Sequence, residues 1–111
     1  MNLKDIWYSN EALVARYFED KWWKILHQNR AMRWWEIDLV VKHKNDLIFV
    51  EVKTIDYTDD IHWYITQSKI KALQRSINTY MQEYETSYKN MRLVFVFVKD
   101  RKIIDIFEYE W

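Results

Sequence analysis

Asp38, Glu51 and Lys53 stand in two runs otherwise built of Ile, Leu, Val and Phe: Ile37-Asp38-Leu39-Val40-Val41 and Leu47-Ile48-Phe49-Val50-Glu51-Val52-Lys53. Both runs have strand composition, and the polar stretch between them ends in Asn45-Asp46, a pair suited to a tight turn. A hairpin turning on Asn45-Asp46 pairs Lys44 with Leu47, sets Asp38 opposite Lys53, and makes Glu51 the diagonal neighbour. Directly paired residues share a face of a sheet, as do residues two apart on one strand, so the three side chains project together. A four-residue loop keeps that parity, whereas a three-residue loop destroys it.

Two carboxylates and one ammonium on a common face are suited to metal-assisted hydrolysis. A hard cation such as Mg²⁺, or Mn²⁺ in its place, takes oxygen ligands and keeps several waters, so Asp38 and Glu51 suffice as protein ligands. Such an ion polarises a phosphate and acidifies water. Lys53 beside it stabilises negative charge on the water or the phosphate. The competing reading is a half-solvated strand, since charged and apolar residues alternate on any such strand. Glu19-Asp20-Lys21 carries the same Glu-x-Lys spacing on a helix.

The surroundings favour the first reading. Glu36-Ile37-Asp38-Leu39-Val40 and Leu47-Ile48-Phe49-Val50-Glu51-Val52-Lys53-Thr54 resemble the signature of the small bacterial YraN-type proteins, members by fold of the restriction-endonuclease-like PD-(D/E)XK nucleases. Glu11 with Ala15-Arg16-Tyr17-Phe18 is similar to that family's first helix, and Lys24-Ile25-Leu26 with Asn29-Arg30 to its first strand. Ile65-Thr66-Gln67-Ser68-Lys69, with Leu73 and Tyr80, resembles the start of its second helix. The resemblance implies a nuclease-type α/β fold, nucleic-acid handling, and Asp38, Glu51 and Lys53 in the active-site positions. It also brings in Glu11, either as a further carboxylate at the metal or as a first-turn charge favouring the helix dipole. Glu36, two residues from Asp38, is a further ligand or an outer partner of the same site.

The chain contains neither Gly nor Pro. Where the family places Gly, this sequence has Asn10, Trp22 and Trp35. Gly serves where φ is positive or the backbone closely approaches a ligand. Asn tolerates the first role and Trp does not. The expectation is a composition constrained or engineered, at some cost in activity. Without Gly there is no phosphate-cradling loop, dinucleotide fingerprint or nucleophile elbow. Without Cys there is no thiol catalysis, disulfide or thiolate metal site.

Residues 1–111 read as a single domain, half of it hydrophobic and therefore folded. The segment Met1–Val14 is too charged for a signal peptide, and the longest apolar run, Leu93–Val98, is too short to span a bilayer. A soluble cytoplasmic protein is the expectation. Formal net charge is zero, a mild argument against nucleic acid, but the charge is polarised. Lys24, His27, Arg30 and Arg33 lead into the proposed site, and Gln67, Lys69, Lys71 and Arg75 open the second long helix. These form a candidate DNA-contacting surface, with Trp34, Trp35 and Trp63 as base-stacking candidates. A solvated charged surface is the equal alternative. His27, His43 and His62 lack ligand spacing, so zinc bound by His is not expected.

The supporting elements follow from periodicity. Ser9 or Asn10 caps a helix running to about Lys21, and Trp23–Asn29 forms a strand. The central hairpin spans Trp34 to Ile55, and Thr54–Trp63 is a loop. Thr66 or Ser68 opens a second helix with apolar face Ile70, Leu73, Ile77, Tyr80, Met81 and Tyr84, leaving Lys71, Arg75 and Asn78 outside. Leu93–Val98 is a strand covered on both faces, and Lys99–Lys102 turns it into a last strand, Ile103–Tyr109. The order αβββαββ gives a mixed sheet of about five strands flanked by two main helices. Two functions fit: a Mg²⁺- or Mn²⁺-dependent endonuclease or resolvase-like enzyme on DNA, branched forms included, or a non-catalytic nucleic-acid-binding or scaffold domain of the same fold. Related nucleases often act as dimers, and an aromatic-rich surface permits a homodimer.

Overall fold

The unbroken apolar run 93–98 can be buried only if both faces of its strand are covered, and the architecture supplies both covers. In the computed structural model, α1 (Leu3–Glu19), β1 (Lys24–Arg30), β2 (Ile37–His43), β3 (Asp46–Thr54), α2 (Gln67–Tyr84), β4 (Asn90–Lys99) and β5 (Lys102–Tyr109) follow in that order. Residues 3–30, 36–55, 65–84 and 90–109 are described, those at 3–8, 30 and 84 by main chain alone. The strands form one mixed sheet in the order β1-β2-β3-β4-β5, parallel between β3 and β4 and antiparallel elsewhere. This is the expected α/β order, αβββαββ. No helix among the described residues is long and apolar enough to cross a membrane.

Alternation along β3 and β4 divides the core. Leu47, Phe49, Leu93, Phe95 and Phe97 pack with Ile70, Leu73, Ile77 and Tyr80 of α2. Ile48, Val50, Val94, Val96 and Val98 pack with Val14, Ala15 and Phe18 of α1. Tyr80 is buried edge-on against Phe49 and His27, and His43 lies against Trp23, so these two histidines serve packing. Thr66 caps α2 as expected, its hydroxyl accepting from the Lys69 N–H at 3.2 Å.

Two local expectations need correction. Ser9 and Asn10 do not cap α1, which begins at Leu3; instead Asn10 is buried within the helix and donates Nδ2 to the Thr54 hydroxyl at 2.7 Å. The hairpin turns on Lys44-Asn45, not Asn45-Asp46, because Asp46 belongs to β3. Asp46 pairs with His43 and accepts from Asn90 Nδ2 at 2.7 Å, while the Asn90 N–H reaches the Asn45 carbonyl at 3.3 Å. The start of β4 thus holds Asp46 in the sheet. Moving a two-residue loop by one position slides the register by two, so parity survives but partners change. Asp38 comes opposite Glu51 rather than Lys53.

The missing glycines leave a record in the backbone. α1 ends in the hydrogen-bond pattern of a Schellman motif: Trp23 N–H to Phe18 carbonyl and Trp22 N–H to Glu19 carbonyl, both 3.0 Å. Trp23 packs edge-on against Phe18, the usual apolar clasp. Trp22 therefore occupies the left-handed position where Gly is preferred, with φ 71°. Lys44, Asp100 and Arg101 hold the two hairpin turns with φ 56°, 50° and 61°. Trp22 is 85% exposed, so its removal costs little packing. Trp22→Gly is expected to stabilise the protein by about 1 kcal/mol, roughly 4–8 °C in Tm. An unchanged or lower Tm on thermal unfolding contradicts this account of the helix end.

Candidate active site

The β2–β3 ladder closes at the Leu39–Val50 pair, and the strands separate one residue further on. There the Val52 N–H donates to Asp38 Oδ2 at 2.8 Å instead of to a main-chain carbonyl. The carboxylate of Asp38 is thereby fixed in the mouth of the opening hairpin, beside Glu51. Glu51 is almost fully buried and lies 3.1 Å from Lys53 Nζ, whose side chain is partly exposed. The three groups read from the hairpin do converge, although Lys53 meets Glu51 along its own strand rather than Asp38 across the ladder.

Glu11 arrives from α1. Carboxylate oxygens of Glu11, Glu36 and Asp38 all lie within 4.8 Å of one another, each free to contribute one ligand atom. Glu11 Oε2 is buried without a hydrogen-bond partner, and the Glu11 carboxylate also receives a hydrogen bond from Asn29. Asn29 sits in β1 between the Gln28–Leu39 and Arg30–Ile37 pairs with φ 52°. That left-handed residue, which Asn tolerates, interrupts the strand next to Asp38.

Electrostatics records the crowding. Burial, and then the charge of Asp38, pushes the Glu11 carboxyl up to about 7. Burial, and then the charge of Glu51, pushes Asp38 up to about 7, against the opposing Val52 N–H and Lys53. Burial raises Glu51 as well, although Lys53 opposes it. Lys69, in the first turn of α2, is lowered to about 8 by burial and by Lys53 close to it. An oxygen-only donor set, a partnerless buried carboxylate oxygen and mutual repulsion among carboxylates are the conditions that a divalent cation relieves.

These shifts set the sign of a pH effect. Between the ordinary carboxylate range and about 7, the folded chain holds more protons than the unfolded chain, so stability falls as pH rises through that window. Lys69 acts in the opposite sense: from about 8 to 10.5 the folded chain holds fewer protons, and stability is partly recovered. Thermal unfolding of the metal-free protein is expected to show Tm declining from pH 5 to pH 7.5. A flat or rising profile over that interval contradicts the clustered carboxylates.

The remaining candidates divide. Gln67, Lys71 and Arg75 lie on the exposed side of α2, as a nucleic-acid surface requires, whereas Lys69 turns inward and joins Lys53. Arg30 ends β1, with only its main chain described; Arg33, Trp34, Trp35, His62 and Trp63 lie outside the described residues. Asn29, and the approach of Lys69 to Lys53, escaped sequence reasoning. Asn29 carried one signal, an Asn within an otherwise ordinary strand.

A family model described as the uncharacterised protein family UPF0102 matches residues 10–98, which includes Glu11 and the whole hairpin. A UPF0102 protein of Pseudothermotoga lettingae is 30% identical over 97 residues, covering 87% of this chain and 91% of the relative. One of Campylobacter fetus is 29% identical over 96 residues, covering 86% and 85%. A Synechococcus relative is 45% identical over a shorter stretch of 53 residues, 48% of this chain and 40% of that protein.

Proposed function

Because the chain belongs to the uncharacterised protein family UPF0102, whose name assigns no activity, we propose from the site itself that it is a metal-dependent nuclease hydrolysing phosphodiester bonds of DNA, branched forms included. The observation that carries this reading is the meeting of the Glu11, Glu36 and Asp38 oxygens within 4.8 Å, with the Glu51–Lys53 pair alongside. Asp38 belongs to both groups of carboxylates and is the central ligand; Glu11, Glu36 and Glu51 are positioned to complete the set. A bound Mg²⁺ or Mn²⁺ would supply charge neutralisation at the scissile phosphate and a more acidic water.

The chain's own residues do the rest. The Val52 N–H fixes the Asp38 carboxylate, so its direction does not depend on a flexible rotamer. Glu51 holds the Lys53 ammonium by its 3.1 Å ion pair, which keeps a positive charge beside the phosphate position. That charge stabilises the negative charge developing on phosphate oxygens. Lys69 raises the positive potential next to Lys53, and Lys71 and Arg75 on exposed α2 extend it along a strand of DNA, with Gln67 as a neutral hydrogen-bonding neighbour.

The test is cleavage of single-stranded, duplex and branched DNA with Mg²⁺ or Mn²⁺. The reading expects cutting that requires the metal and is lost in Asp38→Ala and Glu51→Ala. Binding of DNA with no cutting under any of these conditions would favour a non-catalytic nucleic-acid-binding domain.

A further inference from the structure

A second concave surface lies beside the carboxylates and is not used by them. It is a cavity of about 450 Å³ lined by Ser9, Asn10, Leu13, Arg16 and Glu19 of α1 and by Arg101 of the β4–β5 turn. Two guanidinium groups against one carboxylate leave it net positive. Its position follows from the topology. β3 and β4 run parallel and finish together, Thr54 pairing with Val98 and the Ile55 N–H donating to the Val98 carbonyl at 2.9 Å. The two-residue turn that carries Arg101 comes directly afterwards, at the end of the sheet where Lys53 leaves the active site.

Asn10 joins the two regions. It lines the cavity, follows Ser9 and precedes Glu11 on α1, and donates Nδ2 to Thr54, the residue after Lys53. Asn10 is only 2% exposed, yet its Oδ1 has no hydrogen-bond partner. A buried acceptor left unpaired is costly, and this one belongs to a residue of the cavity wall. Guanidinium pairs suit phosphate oxygens in forked geometry.

We propose that this cavity is a nucleotide subsite in which Arg16 and Arg101 hold a backbone phosphate of the DNA strand whose scissile bond lies at Asp38. The proposal rests on the nuclease reading for its substrate, and it adds a contact region from α1 and the β4–β5 turn that the α2 surface does not include. Glu19 at the rim works against the phosphate and limits how tightly the subsite holds it.

Fluorescence-anisotropy titrations of duplex DNA at several salt concentrations test it with the full chain. Arg16→Gln/Arg101→Gln is expected to weaken binding at least about tenfold and to reduce the salt slope by about 0.9, the loss of one neutralised phosphate. At subsaturating DNA, cleavage should fall in step with the lost affinity, read as a rise in KM. Glu19→Gln should tighten binding. Both arginines are exposed, so the variants should fold, and equal Tm values would verify this. If the double variant binds with wild-type affinity and slope, the subsite is wrong while the nuclease reading stands. If the wild-type chain binds no DNA, the nuclease reading fails, and titration with deoxyadenosine monophosphate followed by NMR decides the cavity. Shifts at the Arg16 and Arg101 side-chain N–H signals, larger than those produced by inorganic phosphate, support a nucleotide site. No such shifts overturn it.

Discussion

Asp38→Asn is expected to abolish metal-dependent cleavage, by at least about a thousandfold, while making the metal-free protein more stable. The two effects have one cause. Asp38 lies between Glu51 and the Glu11–Glu36 pair, and burial plus the Glu51 charge already holds its carboxyl near 7. Replacing it with a neutral amide keeps an acceptor for the Val52 N–H but removes the charge around which the cluster is built. At pH 8 the gain should be at least about 1 kcal/mol, roughly 4–8 °C in Tm, and it should vanish near pH 5, where the wild-type group is already protonated. Saturating Mn²⁺ should raise the wild-type Tm and leave the variant unmoved. Loss of cleavage with lower stability at pH 8 would mean that Asp38 is an ordinary structural acceptor.

Lys53→Ala should produce the opposite stability change. Glu51 is 3% exposed, and its principal counter-charge is the Lys53 ammonium 3.1 Å away. Deleting one member of a buried pair costs about 3–5 kcal/mol if the other stays charged. Glu51 has an escape, since burial already raises its pKa and loss of Lys53 raises it further. The cost is therefore expected to be small near pH 5, to grow with rising pH, and to approach about 3 kcal/mol by pH 8. Lys53→Met, which keeps the aliphatic stem, should behave in the same way, separating lost charge from lost packing. Denaturant unfolding at the two pH values checks both variants. Equal destabilisation at pH 5 and pH 8 would show that packing, not charge, is what Lys53 contributes.

Much of this site was legible in the sequence because parity is robust. Whether the hairpin turns on Asn45-Asp46 or Lys44-Asn45, Asp38, Glu51 and Lys53 remain on one face, since the register moves by an even number. What parity could not supply was the partner opposite Asp38. That was set by Asn90, at the start of β4, holding Asp46 in the sheet across a long separation in sequence. Long-range contacts also account for Asn10, whose caplike composition was overruled by Thr54, and for Lys69, which looked like a member of the exposed basic surface but lies against Lys53. The continuous run 93–98 was readable because an apolar strand without alternation has few places to go. The absent glycines were partly readable: Trp22 marked a position needing positive φ, and the backbone adopts it despite the steric cost. Neither Lys44 nor Arg101 announced a left-handed residue, because tight two-residue turns impose that conformation on whatever the chain supplies.

The most direct test is anomalous diffraction from crystals soaked in Mn²⁺ above pH 7, where Glu11 and Asp38 are ionised. The account predicts one strong peak in bonding contact with Asp38 and shared with at least one of Glu11, Glu36 and Glu51, fading as the soak is made acidic. Saturating Mn²⁺ that leaves this cluster empty, or that binds only at carboxylates elsewhere, would contradict it.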